Sequence, residues 1–387
     1  MNRNEPLSVF VLVDALGWEV VGKHDFLQDL LPYRQPVRTV LGFSSGAIPT
    51  LLTGLPPEQT GHWNLYYFDP QRSPFRWFRP FTCLPEPLLN NRISRKVMKE
   101  LGRRVLGLGS HFECHVSPRT LPWFNFVEKR SIYQPGGITG VPSIFDDLAR
   151  RSRAYRVYTY HDGPDSQLVN WAMNDLHSRN ASFLFLYLSE FDAFLHDHCQ
   201  EPATLNRQLH RYASQLEPLF QAALALDSEA TLAVFSDHGM TPVRRHFDLV
   251  SEIDRLGWRI PRDYLAVYDS TMARFWFFRE AARCDISNRL QTLSCGHVMD
   301  DNELRRQHIF FADRRYGELI FLLDPGWLLT RSDFNGAAWM PRGMHGYDPA
   351  DPYSDAVFLC NRAPCFPIRH LTDVHHVLQE AAEGCLA

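Results

Sequence analysis

Ser8-Val9-Phe10-Val11-Leu12-Val13-Asp14-Ala15-Leu16-Gly17 decides the fold. Six apolar-rich residues run without a polar break and then meet a carboxylate and a turn. Continuous Val/Leu/Phe runs of this length suit parallel strands covered on both faces. Ligand sites of open α/β sheets gather at the carboxyl ends of such strands. Asp14 therefore has two readings: a metal ligand, or a cap for the helix that follows.

Further strand candidates of the same type are Ala181 to Leu188, Ala230 to Phe235 and Ala356 to Cys360, with weaker runs at Val37–Leu41, Tyr155–Tyr160 and Glu318–Leu323. Amphipathic helices are predicted over 143–151, 167–178, 204–226 and 371–382. Strands alternating with helices give an α/β class with a mostly parallel central sheet flanked by helices. Two stretches break the alternation. Residues 66–140 mix aromatics with Arg72, Arg76, Arg79 and a basic helix over Arg92–Arg104, and are read as a cap insertion. They either line a pocket for an anionic or planar substrate or form a small cap core with a solvated helix. Residues 241–312 form a second insertion, with a strand-like run at Tyr264–Phe278 and a helix at Asp285–Thr292. The expected organisation is one catalytic domain over 1–387 carrying both insertions.

Composition narrows the class. A formal charge of −4 gives no global attraction to a nucleic acid duplex or an anionic membrane. The eight cysteines, at 83, 114, 199, 284, 295, 360, 365 and 385, show no CxxC or finger spacing, which argues against a cysteine zinc site or a dense disulfide frame. The first residues lack a signal peptide's basic and apolar regions, and no apolar run reaches the length of a transmembrane helix, so a cytoplasmic location is expected.

Four loops offer chemistry. Asp14 is the first. Ser189 to His196 follows the strand ending at Leu188, and its Asp192 and His196 share a helix face at a spacing of four, as a metal pair or a plain ion pair would. Ser236-Asp237-His238-Gly239-Met240 follows the strand ending at Phe235, as ligands or as a capped turn. His345 sits in the glycine-flanked turn Gly343-Met344-His345-Gly346. A structural account must explain each loop separately. Two hydrolytic metal ions explain all four, and the mixed N/O donors suit zinc first and manganese second. Ser44 and Ser45 precede a helix that runs to Gly54, so each is an N-cap or a nucleophile.

These segments together resemble the alkaline phosphatase superfamily, and within it the nucleotide pyrophosphatase/phosphodiesterase branch, over residues 8–365. Asp14, Ser44 nine residues before Thr53-Gly54, Leu52–Glu58, Asp192-x-x-x-His196, Ser236–Met240 and Met344–Tyr347 follow the family's order. The resemblance implies an alkaline phosphatase-like core and two divalent metals. One metal would be held by Asp192, His196 and His345. The other would be held by Asp14, Asp237 and His238, with the oxygen of Ser44 completing it. It implies Ser44 as the nucleophile of a phosphoserine mechanism, and Asn64 near the place of a phosphate-binding asparagine. A small phosphate ester is the implied substrate, nucleotides included, and a phosphodiester ranks above a monoester. Other phosphoryl or sulfuryl hydrolysis, and a catalytically silent metal-binding protein of the same fold, are the alternatives. The chain departs from the branch in its nucleophile loop, where Ser45-Gly46-Ala47 follows Ser44 and makes Ser45 a rival. A sulfatase would need Pro and Arg where Gly46 and Ile48 stand.

Overall fold

The computed structural model describes residues 5–106, 108, 116–334 and 339–384. Cys114 and Cys385 lie outside them, and the six described cysteines form no disulfide. The chain divides into two compact units. Unit 1 holds residues up to 60, 132–242 and 349 onward, and unit 2 holds 61–131 and 243–348.

Unit 1 is built on a six-stranded mixed sheet. Its strands are β1 (Ser8–Val13), β2 (Tyr33–Val37), β3 (Tyr155–Tyr158), β4 (Phe183–Leu188), β5 (Thr231–Phe235) and β6 (Ala356–Cys360), in the spatial order β2-β6-β5-β1-β4-β3. β1 pairs in parallel with β4 and β5, and β4 with β3. β6 runs antiparallel between β5 and β2. The strand expected at 37–41 is found at Tyr33–Val37, where pairing with β6 outweighs a weak apolar signal. The sheet sorts its side chains by period two. One face presents Val9, Val11, Val13, Leu184, Leu186, Leu232 and Val234 to helices α2 (Asp165–Ser178), α3 (Glu190–His198) and α4 (Pro202–Leu226). The other presents Phe10, Phe183, Phe185, Tyr187 and Phe235 to α1 (Ser44–Thr53) and α5 (Leu371–Glu383).

α1 stops at Gly54, whose φ of 69° is left-handed and whose missing side chain admits the His375 ring. A Cβ there would stand 2.7 Å from that ring. Gly239 is required by close packing and not by a left-handed backbone. Its φ is not positive, but a Cβ would meet the Tyr353 carbonyl oxygen at 2.2 Å. The turn after β5 therefore packs backbone to backbone.

Unit 2 has a four-stranded antiparallel sheet from Tyr264–Asp269, Met272–Phe277, Leu319–Leu323 and Gly296–Val298. The single run expected over 264–278 is thus a hairpin turning at Ser270-Thr271, two buried polar residues inside an apolar stretch. Residues 61–131 share a core with this sheet: Tyr66, Phe75, Phe124 and Phe126 pack with Leu265, Val267 and Trp276. Arg274, fully buried, joins the two segments by donating to Asp269 Oδ2 at 2.7 Å and to the Tyr66 carbonyl at 2.9 Å.

Asp333 accepts a bond from the Tyr268 backbone N–H at 2.8 Å, and removal from water pushes its carboxyl up to about 7. Such a group supports the folded state while protonated. The support is complete below about 4, the unfolded value, and is lost as pH rises through 7. Asp333→Asn keeps the oxygen and removes the ionisation. Urea unfolding should show the variant more stable than wild type at pH 8, by up to about 4 kcal/mol, with the difference closing at pH 4.

Candidate active site

β1, β4 and β5 are neighbours in register, Val13 opposite Leu188 and Leu12 opposite Phe235. They end at one level, and the residues that follow them emerge together. Asp14 extends the ladder by one bond, donating its N–H to the Leu188 carbonyl at 2.9 Å. Ala15, left-handed at φ 59°, then turns the chain so that its N–H reaches Asp237 Oδ1 at 3.3 Å. The helix cap after β1 is Gly17, so capping does not explain Asp14.

Asp14, Asp237 and His238 are all buried, and each offers an atom within 4.8 Å of the others. His238 Nδ1 donates to the Gly239 carbonyl at 3.0 Å, which turns a neutral Nε2 into an acceptor. That Nε2 lies 3.5 Å from Asp14 Oδ1 and 3.3 Å from Asp237 Oδ2. Neither of these two buried carboxylate oxygens has a hydrogen-bond partner. Three acceptors thus converge with no donor among them, an arrangement that is costly when empty and well matched to a cation. The remaining oxygen of Asp14 accepts a short bond from the Tyr187 hydroxyl. Burial, and then repulsion from Asp237 and Asp192, hold the Asp14 carboxyl well above the usual range. Asp192 is therefore close enough to act on it, and Asp192 Oδ2 is 3.3 Å from His196 Nε2 across one turn of α3.

Ser44 is the first residue of α1, not its cap. The cap is Phe43, which makes no side-chain capping bond. Ser44 Oγ lies 3.0 Å from His238 Nε2. An N-cap role for Ser44 is thereby set aside. Unit 1 brings Asp14, Ser44, Asp192, His196, Asp237 and His238 to one end of its sheet. His345 and Asn64 belong to unit 2. His345 is buried in the turn before Gly346, where Thr271 Oγ1 donates to the Gly346 carbonyl at 3.1 Å. The buried amide nitrogen of Asn64 has no hydrogen-bond partner.

Two supporting residues escape a reading of the sequence. Tyr187 reads as one more apolar position of β4. Asp165 reads as the ordinary start of α2. Its buried carboxylate instead accepts the backbone N–H groups of Ser189 at 3.0 Å and Glu190 at 3.1 Å, at the start of the helix that carries Asp192 and His196. The Tyr212 hydroxyl donates to the same group. The only sequence signal is an acidic residue and a tyrosine on helices that both cover β4.

A family model described as type I phosphodiesterase / nucleotide pyrophosphatase matches residues 10–348. No curated protein sequence matches the chain. Among solved structures, murine ectonucleotide pyrophosphatase/phosphodiesterase 5 is similar at a TM-score of 0.66 and 18% identity, covering 98% of this chain and 95% of that one. The human protein of the same name gives 0.68 and 15%, with the same coverage. Phosphonoacetate hydrolase from Sinorhizobium meliloti, solved with phosphonoformate, gives 0.65 and 14%, covering 98% and 96%. At these identities the likeness to the solved structures is one of fold.

Asp165→Asn would set an amide NH2 against backbone N–H donors. It should cost about 2 kcal/mol in urea unfolding, equally with and without chelator, since the contact holds a helix start. An effect seen only with metal present would contradict that origin.

Proposed function

The chain belongs to the type I phosphodiesterase / nucleotide pyrophosphatase family, whose members are hydrolases of phosphate esters, and on that premise we propose a phosphodiesterase working through a phosphoserine on Ser44. The observation that carries the reading is the meeting of two partnerless buried oxygens, Asp14 Oδ1 and Asp237 Oδ2, at His238 Nε2, with Ser44 Oγ 3.0 Å from that same nitrogen. Asp14, Asp237 and His238, with Ser44, would hold one divalent ion. Asp192, His196 and His345 would hold a second. Zinc suits these nitrogen and oxygen donors best, with manganese second. When bound, such ions supply Lewis acidity that favours the Ser44 alkoxide and neutralises phosphoryl charge.

The chain's own residues do the rest. The Gly239 carbonyl fixes the His238 ring, so that Nε2 faces the Ser44 hydroxyl. Ser44 stands at the positive end of the ten-residue helix α1, which favours its ionised form and an incoming phosphate. The Ser44 oxygen attacks phosphorus as the bond to the leaving alcohol or nucleotide oxygen breaks. Water then cleaves the serine–phosphorus bond and returns the hydroxyl. Asn64, with a buried amide donor lacking a partner, is suited to a phosphoryl oxygen. Residues 42–54 contain no Lys or Arg. A monoester dianion needs more compensation than a diester monoanion, so diesters, nucleotides among them, are the favoured substrates. A murine relative was solved in complex with AMP, which fits a nucleotide-sized substrate.

Ser44→Ala should lose roughly three orders of magnitude or more in kcat, and Ser45→Ala about tenfold or less. Trapping the phosphoenzyme and mapping the modified peptide checks the assignment, and phosphate on Ser45 would refute it. In aryl ester assays the diester should show the higher kcat/KM. A clear preference for p-nitrophenyl phosphate would reverse the ester class. Asp237→Asn should lose bound metal and activity, yet resist urea in the presence of chelator at least as well as wild type, because it removes one of two buried like charges. Metal content and unfolding curves together test this. Bound metal without turnover of any ester would instead support a silent binding protein.

A further inference from the structure

Unit 2 contains a cavity of about 710 Å³ that the chemistry above does not use. Its size falls in the range of sites for nucleotide-sized ligands. Four arginines contribute to the wall, Arg95 and Arg119 from the first segment of the unit and Arg259 and Arg331 from the second. Two carboxylates, Asp254 and Asp333, are the acidic lining. Trp258, Tyr264 and Tyr268 supply rings, and Val250, Ile260 and Ala266 supply apolar surface.

Several of these groups are held in place by hydrogen bonds. Arg95 Nε donates to Asn90 Oδ1 at 2.7 Å, and Arg119 Nη2 to the Leu84 carbonyl at 2.5 Å. Arg331 Nη2 donates to Asp248 Oδ1 at 2.9 Å, and Trp258 Nε1 to Asp285 Oδ2 at 3.1 Å. Binding walls fixed before the ligand arrives cost less ordering on association. Arg331 is paired with Asp248, so the remaining balance is three guanidinium groups against two carboxylates, still positive in a protein of net charge −4. Guanidinium forks match phosphate oxygens in geometry and charge, and indole and phenol faces suit a planar ring.

We propose that this cavity is a second binding site, taking a phosphate monoester that carries a planar ring, such as a nucleoside monophosphate. The site lies wholly within unit 2 and requires no metal. The acidic cluster of unit 1 accepts cations, and this cavity has the opposite preference. Both halves of the ligand are needed: the phosphate to meet the arginines, the ring to occupy the apolar and aromatic wall.

The test uses the full chain stripped of metal with chelator, so that a phosphate has no metal centre to bind. Calorimetric titration with AMP should give one site with Kd of about 100 µM or tighter. Adenosine and inorganic phosphate should each bind at least tenfold more weakly. Arg259→Gln, at an exposed position, leaves the fold intact and should weaken AMP at least tenfold, the loss expected for one charge-assisted bond. Arg119→Gln should do the same, and if it unfolds the protein, Arg259→Gln decides alone. No heat with AMP, equal binding of adenosine, or an Arg259→Gln titration that overlays wild type would overturn the site.

Discussion

Two carboxylates buried side by side, Asp14 and Asp237, set the terms for the rest of unit 1. Like charges removed from water cannot both stay ionised without a positive partner between them. No lysine or arginine bonds to either among the described contacts. Instead the fold surrounds them with fixed dipoles: the Tyr187 hydroxyl on Asp14 and the Ala15 N–H on Asp237. The Thr39 hydroxyl pins the Asp237 carbonyl at 2.6 Å. These contacts hold one oxygen of each acid and leave the other facing His238. The protein thus keeps two acids side by side with no bonded cation and uses its hydrogen bonds to orient them, not to neutralise them.

This explains why the sheet is sorted as it is. Asp14 continues the face of Phe10 and Leu12, the aromatic face on which Tyr187 also stands. An aliphatic residue at 187 would pack as well but would leave Asp14 without its donor. Asp165 does comparable work on the opposite face, under α3. Both are buried polar groups whose value depends on being fully bonded.

The candidate ligands Asp14, Asp192 and Asp237 could be singled out in the sequence because each lies just past an apolar run, and the change from hydrophobic to acidic is visible without coordinates. Ser44 is preferred to Ser45 only on the spacing to Thr53-Gly54 that the family resemblance implies, and its Oγ lies 3.0 Å from His238 Nε2. Tyr187 and Asp165 were hidden by the same logic: one lies inside an apolar run, the other at a helix start, where its type is ordinary. The hairpin at Ser270-Thr271 was missed because its turn residues are buried and flanked by strand formers, so the run reads as continuous. The wall of the unit 2 cavity combines arginines more than 150 positions apart, a pairing that no local pattern encodes. The first segment's mixture of rings and arginines hinted at an anion pocket, and of the arginines that drew notice there only Arg95, in the basic helix over 92–104, is found in the wall.

The position of β6 has a consequence for how the chain is made. Every residue assigned to the chemistry has been synthesised by His345, yet the sheet still lacks a member. β6, at Ala356–Cys360, is the sole link between β5 and β2. Until it emerges, β5 is an open edge with Val234 and Phe235 on its two faces, the kind of surface that templates intermolecular pairing. The contacts that close the sheet join β6 to β5 across more than a hundred residues and to β2 across more than three hundred, and pairing of that range is slow because loop closure must come first. The nascent protein therefore passes through a stage at which its reactive groups are complete and its central sheet is still adhesive. Those last five strand residues, buried and paired on both sides, therefore bear on how the chain is made as well as on how stable it is once folded.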